Sequence, residues 1–158
     1  MSSDNLDKTI DVLNDLIETS KDGEAGFLSC AEDVNSLELK SLFNQRAREC
    51  AAAAKELQTL VLGLGGEPED DTSVAGDLHR RWVDFKAMVT KQDEKSVLHE
   101  CERGEDVAKK RYSEALENDL PLDVRELVKQ QYANVLRNHD QIKALRNNAD
   151  MRAHSDRR

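Results

Sequence analysis

Two glycine–glutamate pairs lie on the apolar seams of two helical patterns, and their glutamates are the first candidates for chemistry. In KDGEAGF, Glu24 follows Gly23 and falls between Ser20 and Phe27; in ECERGED, Glu105 follows Gly104 and falls between Cys101 and Ala108. A carboxylate directed into a helix-packed interior has to be offset by a basic side chain, a metal ion or a proton. Each glycine costs its helix about 1 kcal/mol relative to alanine. In return it removes a side chain beside the carboxyl, which permits close helix approach or admits water. Counting back from the turns sets Arg46, Glu49 and Cys50 level with Glu24. The same count sets Gln131, Asn134, Val135 and Asn138 level with Glu105, with His139 one turn away. Glu24, Glu49, Glu105 and His139 are therefore the candidate metal ligands. Iron or manganese at such a carboxylate-rich centre would support oxygen or peroxide chemistry or iron handling. The competing reading needs no metal: Arg46 lies on its own seam and can pair with Glu24 inside the bundle. Glu100 and Glu102 read as solvated flanks, and His79 and His99 as exposed or part of a crossover.

Four long amphipathic patterns must position these residues. The first runs from about Asp4 to Val34, with a seam at Leu6, Ile10, Leu13, Ile17, Ser20, Glu24, Phe27, Ala31 and Val34 in alternating steps of four and three. Asn35 with Glu38 reads as a capping box opening the second, whose seam passes through Phe43, Arg46, Cys50 and Leu57 and which GLGGEPEDD ends. The third carries Leu98, Cys101, Glu105, Ala108, Tyr112 and Ala115. Asn118-Asp-Leu-Pro121 turns the chain into the fourth, with Val124, Val128, Gln131, Val135, Asn138, Ile142 and Leu145. Between the second and third lies a long connection with a shorter helical pattern, about Ser73 to Val89, bearing Trp82, Phe85 and Met88. Short links make the first and second, and the third and fourth, antiparallel hairpins. The long link lets the second and third run parallel, the one-crossover topology of ferritin-like bundles rather than a simple up-down bundle.

Composition agrees with this. The 158 residues are 35% charged and only 4% aromatic, with two prolines, as expected of one all-α domain over residues 1–147 followed by a frayed tail at 148–158. A formal net charge of -9 argues against nucleic acid as a partner. No apolar run approaches a membrane span, and MSSDNLDKTI does not read as a signal peptide. Cys30, Cys50 and Cys101 form no CxxC pair and suit a reducing compartment, so a cytoplasmic location is expected. The sequence shows no phosphate-binding glycine loop, no zinc spacing and no nucleophile–histidine grouping that a bundle would bring together. The aromatic crossover pattern suggests a homo-oligomer.

The stretches SVAGDLHRRW (Ser73 to Trp82), ECERGED and QYANVLRNHDQIKALRN (Gln131 to Asn147) resemble an uncharacterised bacterial family of ferritin-like four-helix-bundle proteins. The resemblance spans nearly the whole chain and implies the ferritin-like fold, at a distance from di-iron ferritins and rubrerythrins; that family has no settled activity to carry over. The chain departs from the di-iron pattern, which wants Glu-x-x-His on two helices. Ala52 follows Glu49 at that spacing, and Leu136 precedes His139. Two functions follow as expectations. One is a ferritin-like metal or redox protein. The other is a non-catalytic bundle acting by self-association or partner binding, with an inward polar layer fixing helix register.

Overall fold

The computed structural model describes residues 3–69 and 94–156. Within them are four α-helices: α1 (Ser3–Asp33), α2 (Leu37–Gly63), α3 (Glu94–Ala115) and α4 (Leu122–Asp156). The expected crossover helix, with Trp82, Phe85, Met88 and His79, lies outside the described residues, as does any self-association through it.

Local chemistry sets the helix ends. Ser36, not Asn35, is the N-cap of α2: its backbone is extended, and its hydroxyl accepts from Leu39 N–H at 3.3 Å. A side-chain oxygen reaches the N–H three residues on, and with the helix starting at Leu37 that residue is Ser36. Lys40 Nζ donates to Ala31 O, at 2.9 Å, satisfying a carbonyl at the end of α1. After α2 the chain turns through Gly65 at φ +81, a left-handed conformation that glycine adopts without penalty. Asn14 then holds the outgoing strand of chain by bonding Glu67 O and Glu69 N–H, at 3.1 and 2.8 Å. At the other hairpin, Pro121 O accepts from Arg125 N–H, at 2.8 Å, to start α4. The segment expected to fray from 148 onward continues as helix to Asp156, because Ala149 packs into the core and Asp150 meets His99 and Lys95.

Pairings across the interfaces fix the directions. Cys50 lies against Gly23 and Phe43 stacks with Phe27, so α1 and α2 are antiparallel. Asp15 pairs with Arg111, Ser20 with Tyr112 and Cys30 with Cys101, so α1 and α3 are antiparallel too. It follows that α2 and α3 run parallel. Tyr112 with Gln131 and Glu94 with Arg152 make α3 and α4 antiparallel.

Among the described residues the core has two apolar clusters with a polar layer between them. One holds Phe27, Val34, Phe43, Val97, Leu98 and Ile142; the other holds Leu13, Leu16, Ile17, Leu57, Val124 and Val128. The sequence-derived seams agree with this burial over most of their length. Burial of these side chains is what drives the bundle together.

Candidate functional site

In the middle of the bundle, between the apolar clusters, is a cavity of about 370 Å³ reached by all four helices. Small side chains leave the space: Gly23 on α1, Ala52 and Ala53 on α2, Gly104 and Ala108 on α3. Phe27, Cys50, Cys101 and Val135 add apolar wall. The opening lies between α2 and α4, where exposed Ala52 and Glu56 face exposed Gln130 and Arg137.

Glu105 lines this cavity and is only 5% exposed. Among the described residues, no hydrogen bond reaches its carboxyl. Burial pushes its pKa up to about 8; the Arg46 charge opposes this, and Glu49 and Asp106 add to it. Glu49, on the rim, is treated oppositely. Burial raises its pKa, but the hydrogen bond and charge of Arg46, with bonds from Asn138 and Gln45, more than offset that and hold it below the ordinary value. Arg46, itself buried, gives Nη1 to Glu49 at 2.7 Å and Nη2 to Gln141 on α4. Glu24 is half-buried beside the layer, and its charge, with those of Glu105 and Glu49, bears on the Cys50 thiol after burial in raising that group's pKa. The residue of that pair turned most closely onto α2 is Gly23, where an added Cβ would stand 2.9 Å from Cys50 Sγ. The layer closes with Tyr112, whose hydroxyl donates to Gln131 Oε1 at 2.7 Å, and with Gln131 Nε2 donating to Ala53 O at 3.3 Å.

The fourth sequence-derived candidate, His139, faces a different neighbourhood. Its imidazole is buried on the α3–α4 interface and shares a 2.5 Å hydrogen bond between Nε2 and Asp106 Oδ1. Nearby, Glu102 meets Arg146 at 2.9 Å, with its side chain 12% exposed. Glu102, Asp106 and His139 bring ligand atoms within 4.8 Å of one another. Glu102 and Asp106 were not among the sequence-derived candidates. Their i, i+4 spacing on α3 could have shown that they share a face, but nothing in the sequence says that His139 comes down beside them. Glu102 and Glu100, read as solvated flanks, are largely covered, because Arg146 and Arg103 fold over them.

These placements test a di-iron centre. Among the described carboxyls that line the cavity, Glu105 alone is buried, and the guanidinium of Arg46 already neutralises Glu49. No Glu-x-x-His pair exists on α2 or α4. The layer does not fit a di-iron group. The α3–α4 cluster, with one imidazole and two carboxylates, does fit a single divalent ion.

Comparison with known proteins agrees with this architecture. A family model described as Domain of unknown function (DUF2383) matches residues 8–118. No curated protein matches the chain. Among solved structures, a mutant of Dps1 from Mycobacterium smegmatis is similar at a TM-score of 0.77 and 14% identity, covering 92% of this chain and 99% of its own. A ferritin-like, diiron-carboxylate protein from Bacillus anthracis strain Ames is similar at a TM-score of 0.68 and 19% identity, with the same coverage. At those identities the likeness establishes the ferritin-like fold. Among the described residues, no helix is long and apolar enough to cross a membrane.

Proposed function

This chain belongs to the DUF2383 family, and we propose that it is a ferritin-like bundle that binds one divalent transition-metal ion, iron or manganese, through His139, Asp106 and Glu102. The observation that carries this reading is the convergence of a buried imidazole and two carboxylates from facing helices within 4.8 Å. The likeness to a diiron-carboxylate protein supports iron as the first ion to try. Of the ligands read from the sequence, His139 enters this set, while Glu24, Glu49 and Glu105 belong to or border the mid-bundle layer.

The side chains would share the work unequally. His139 supplies a nitrogen donor held in place by burial, and its packing between α3 and α4 fixes the ring. Asp106, 59% exposed, leaves the site open to solvent. Arg146 holds Glu102 in position but also competes for it, so ion binding has to weaken that pair. A bound iron or manganese ion would supply redox chemistry toward oxygen or peroxide. The test is metal content after expression in iron- and manganese-supplemented medium, followed by titration of chelated protein. We expect about one ion per chain, lost in His139→Ala and Asp106→Asn. Consistent absence of metal, or uptake by either variant equal to that of the wild type, would overturn the assignment.

A second reading has its own observation. Each member of the cluster already has a protein partner, Arg146 for Glu102 and Asp106 for His139, as a purely structural polar seam would. On that reading the bundle acts by association, and supplemented protein would contain no metal.

A further inference from the structure

The mid-bundle cavity is separate from the α3–α4 cluster, and its chemistry is distinct. Its volume of about 370 Å³ lies in the range of small-molecule pockets, roughly 300–1,000 Å³. It has a slot to solvent between α2 and α4, and its far wall carries Glu105, more than nine-tenths buried and without a hydrogen-bond partner among the described residues. Buried polar groups are rarely left this way unless something else supplies the partner.

The lining also says what kind of partner. The donors on the buried part of the lining are engaged: Tyr112 Oη on Gln131, Gln131 Nε2 on Ala53 O, and Asn138 Nδ2 on Glu49 at 3.2 Å, while the amides of Gln130 and Asn134 lie on less buried residues. The open capacity is acceptor capacity, greatest at the Glu105 carboxyl. Among the described residues, three glutamates line the cavity, Glu49, Glu56 and Glu105, against one arginine, Arg137, which sits at the exposed mouth and donates to Asn134. Arg46 lies behind Glu49 with two of its nitrogens occupied. The rest of the wall is apolar or small: Phe27, Ala52, Ala53, Ala108 and Val135.

We propose that this cavity is a binding site for a small organic cation, a primary amine on a short apolar body, whose ammonium group donates to Glu105 while its hydrocarbon lies against Phe27, Ala108 and Val135. The ammonium supplies three donors and a positive charge to a wall rich in acceptors and poor in counter-charge. The apolar body replaces water in a mostly apolar chamber. This site does not depend on the metal assignment, because none of Glu105, Phe27, Ala108 and Val135 belongs to the Glu102–Asp106–His139 cluster, and none of that cluster lines the cavity.

The test uses the full chain, stripped of metal, at pH 9, where the Glu105 carboxyl is ionised and an alkylammonium keeps its proton, with three probes of one shape: hexylammonium, 1-hexanol and hexanoate. Calorimetric titration should show saturable binding of hexylammonium at one site, at least tenfold tighter than 1-hexanol, and no binding of hexanoate. Glu105→Gln should abolish the amine's advantage while leaving the alcohol as it was. Ala108→Leu, which fills the chamber without touching a charge, should weaken amine and alcohol together. The proposal fails if hexylammonium does not saturate, if 1-hexanol binds as tightly as the amine, or if the amine's advantage survives Glu105→Gln. Unchanged amine binding in Ala108→Leu would overturn the location.

Discussion

Helix α2 meets its two neighbours in opposite ways at one level of the bundle. Against α1 it comes so close that Cys50 Sγ occupies the space a side chain at position 23 would need. Against α4 it stands apart, and the interval is spanned by side chains: Arg46 to Gln141, Glu49 to Asn138 and Gln131 to Ala53 O. A glycine produces the first arrangement, while the run Ala51–Ala54 leaves the second open. The buried carboxyl of Glu105 faces the open side. So the same helix both seals the bundle and gives it a chamber, and helix spacing decides which groups can find partners.

The contrast is broken most directly at Glu105. Its folded pKa of about 8 stands above the ordinary 4.5, so the folded state holds a proton that the unfolded state gives up between those values. Stability from this group is therefore complete below about pH 4.5 and lost as pH rises to and through about 8. The loss by pH 8 is on the order of 4 kcal/mol. Urea unfolding of the metal-free protein should show wild type and Glu105→Gln nearly equal at pH 5, with the variant more stable by about that amount at pH 8. Parallel pH profiles for the two proteins would mean that the open side does not isolate this carboxyl.

Arg46 holds the gap from the other direction. Its replacement in Arg46→Met keeps an apolar stem but removes the bridge to Gln141 and strands the Glu49 carboxylate. A fully buried pair broken this way costs about 3–5 kcal/mol; Glu49, 30% exposed, regains some hydration, so about 2 kcal/mol is expected at pH 7. The same variant should raise the pH range over which Glu105 affects stability, since Arg46 is the charge that opposes its upward shift. A stability change within about 0.5 kcal/mol of zero, the range of ordinary surface substitutions, would show that the side-chain bridges do not hold α2 and α4 at their spacing.

How far the sequence could have led to this contrast depends on what each residue's neighbours are. Seams were legible because a buried helix face repeats: Leu13, Ile17, Phe27, Leu57, Val124 and Val128 all lie in the core where spacing put them. The inward direction of Glu105 was legible for the same reason. The parallel run of α2 and α3 could be read from connection length alone. Glu24 could not be resolved, because on a helix the glycine beside it serves the contact just as well, and Gly23 is what faces Cys50. The Glu102–Asp106–His139 cluster depends on the rotation of α4 against α3, which spacing within either helix does not encode. The chamber was hidden for a related reason. A run of alanines reads as strong helix former, and only the distance to the facing helix turns small side chains into empty volume.

The closed side of α2 gives the smallest effect and the most discriminating one. Gly23→Ala should gain about 1 kcal/mol of helix stability from propensity alone. Against that, the new Cβ would stand 2.9 Å from Cys50 Sγ, closer than carbon and sulfur tolerate, and such overpacking costs about 1–3 kcal/mol. The expected net result is a loss of about 1 kcal/mol. The clash is with the sulfur only, since Cys50 Cβ lies at an ordinary 3.7 Å. In a Cys50→Ala background the crowding term disappears and the propensity gain remains, so the same Gly23→Ala change should then stabilise by up to about 1 kcal/mol. A thermal-unfolding cycle on the four proteins reads that reversal of sign directly. If Gly23→Ala stabilises the protein with Cys50 still present, α1 and α2 have room to spare, and the glycine is not what draws them together.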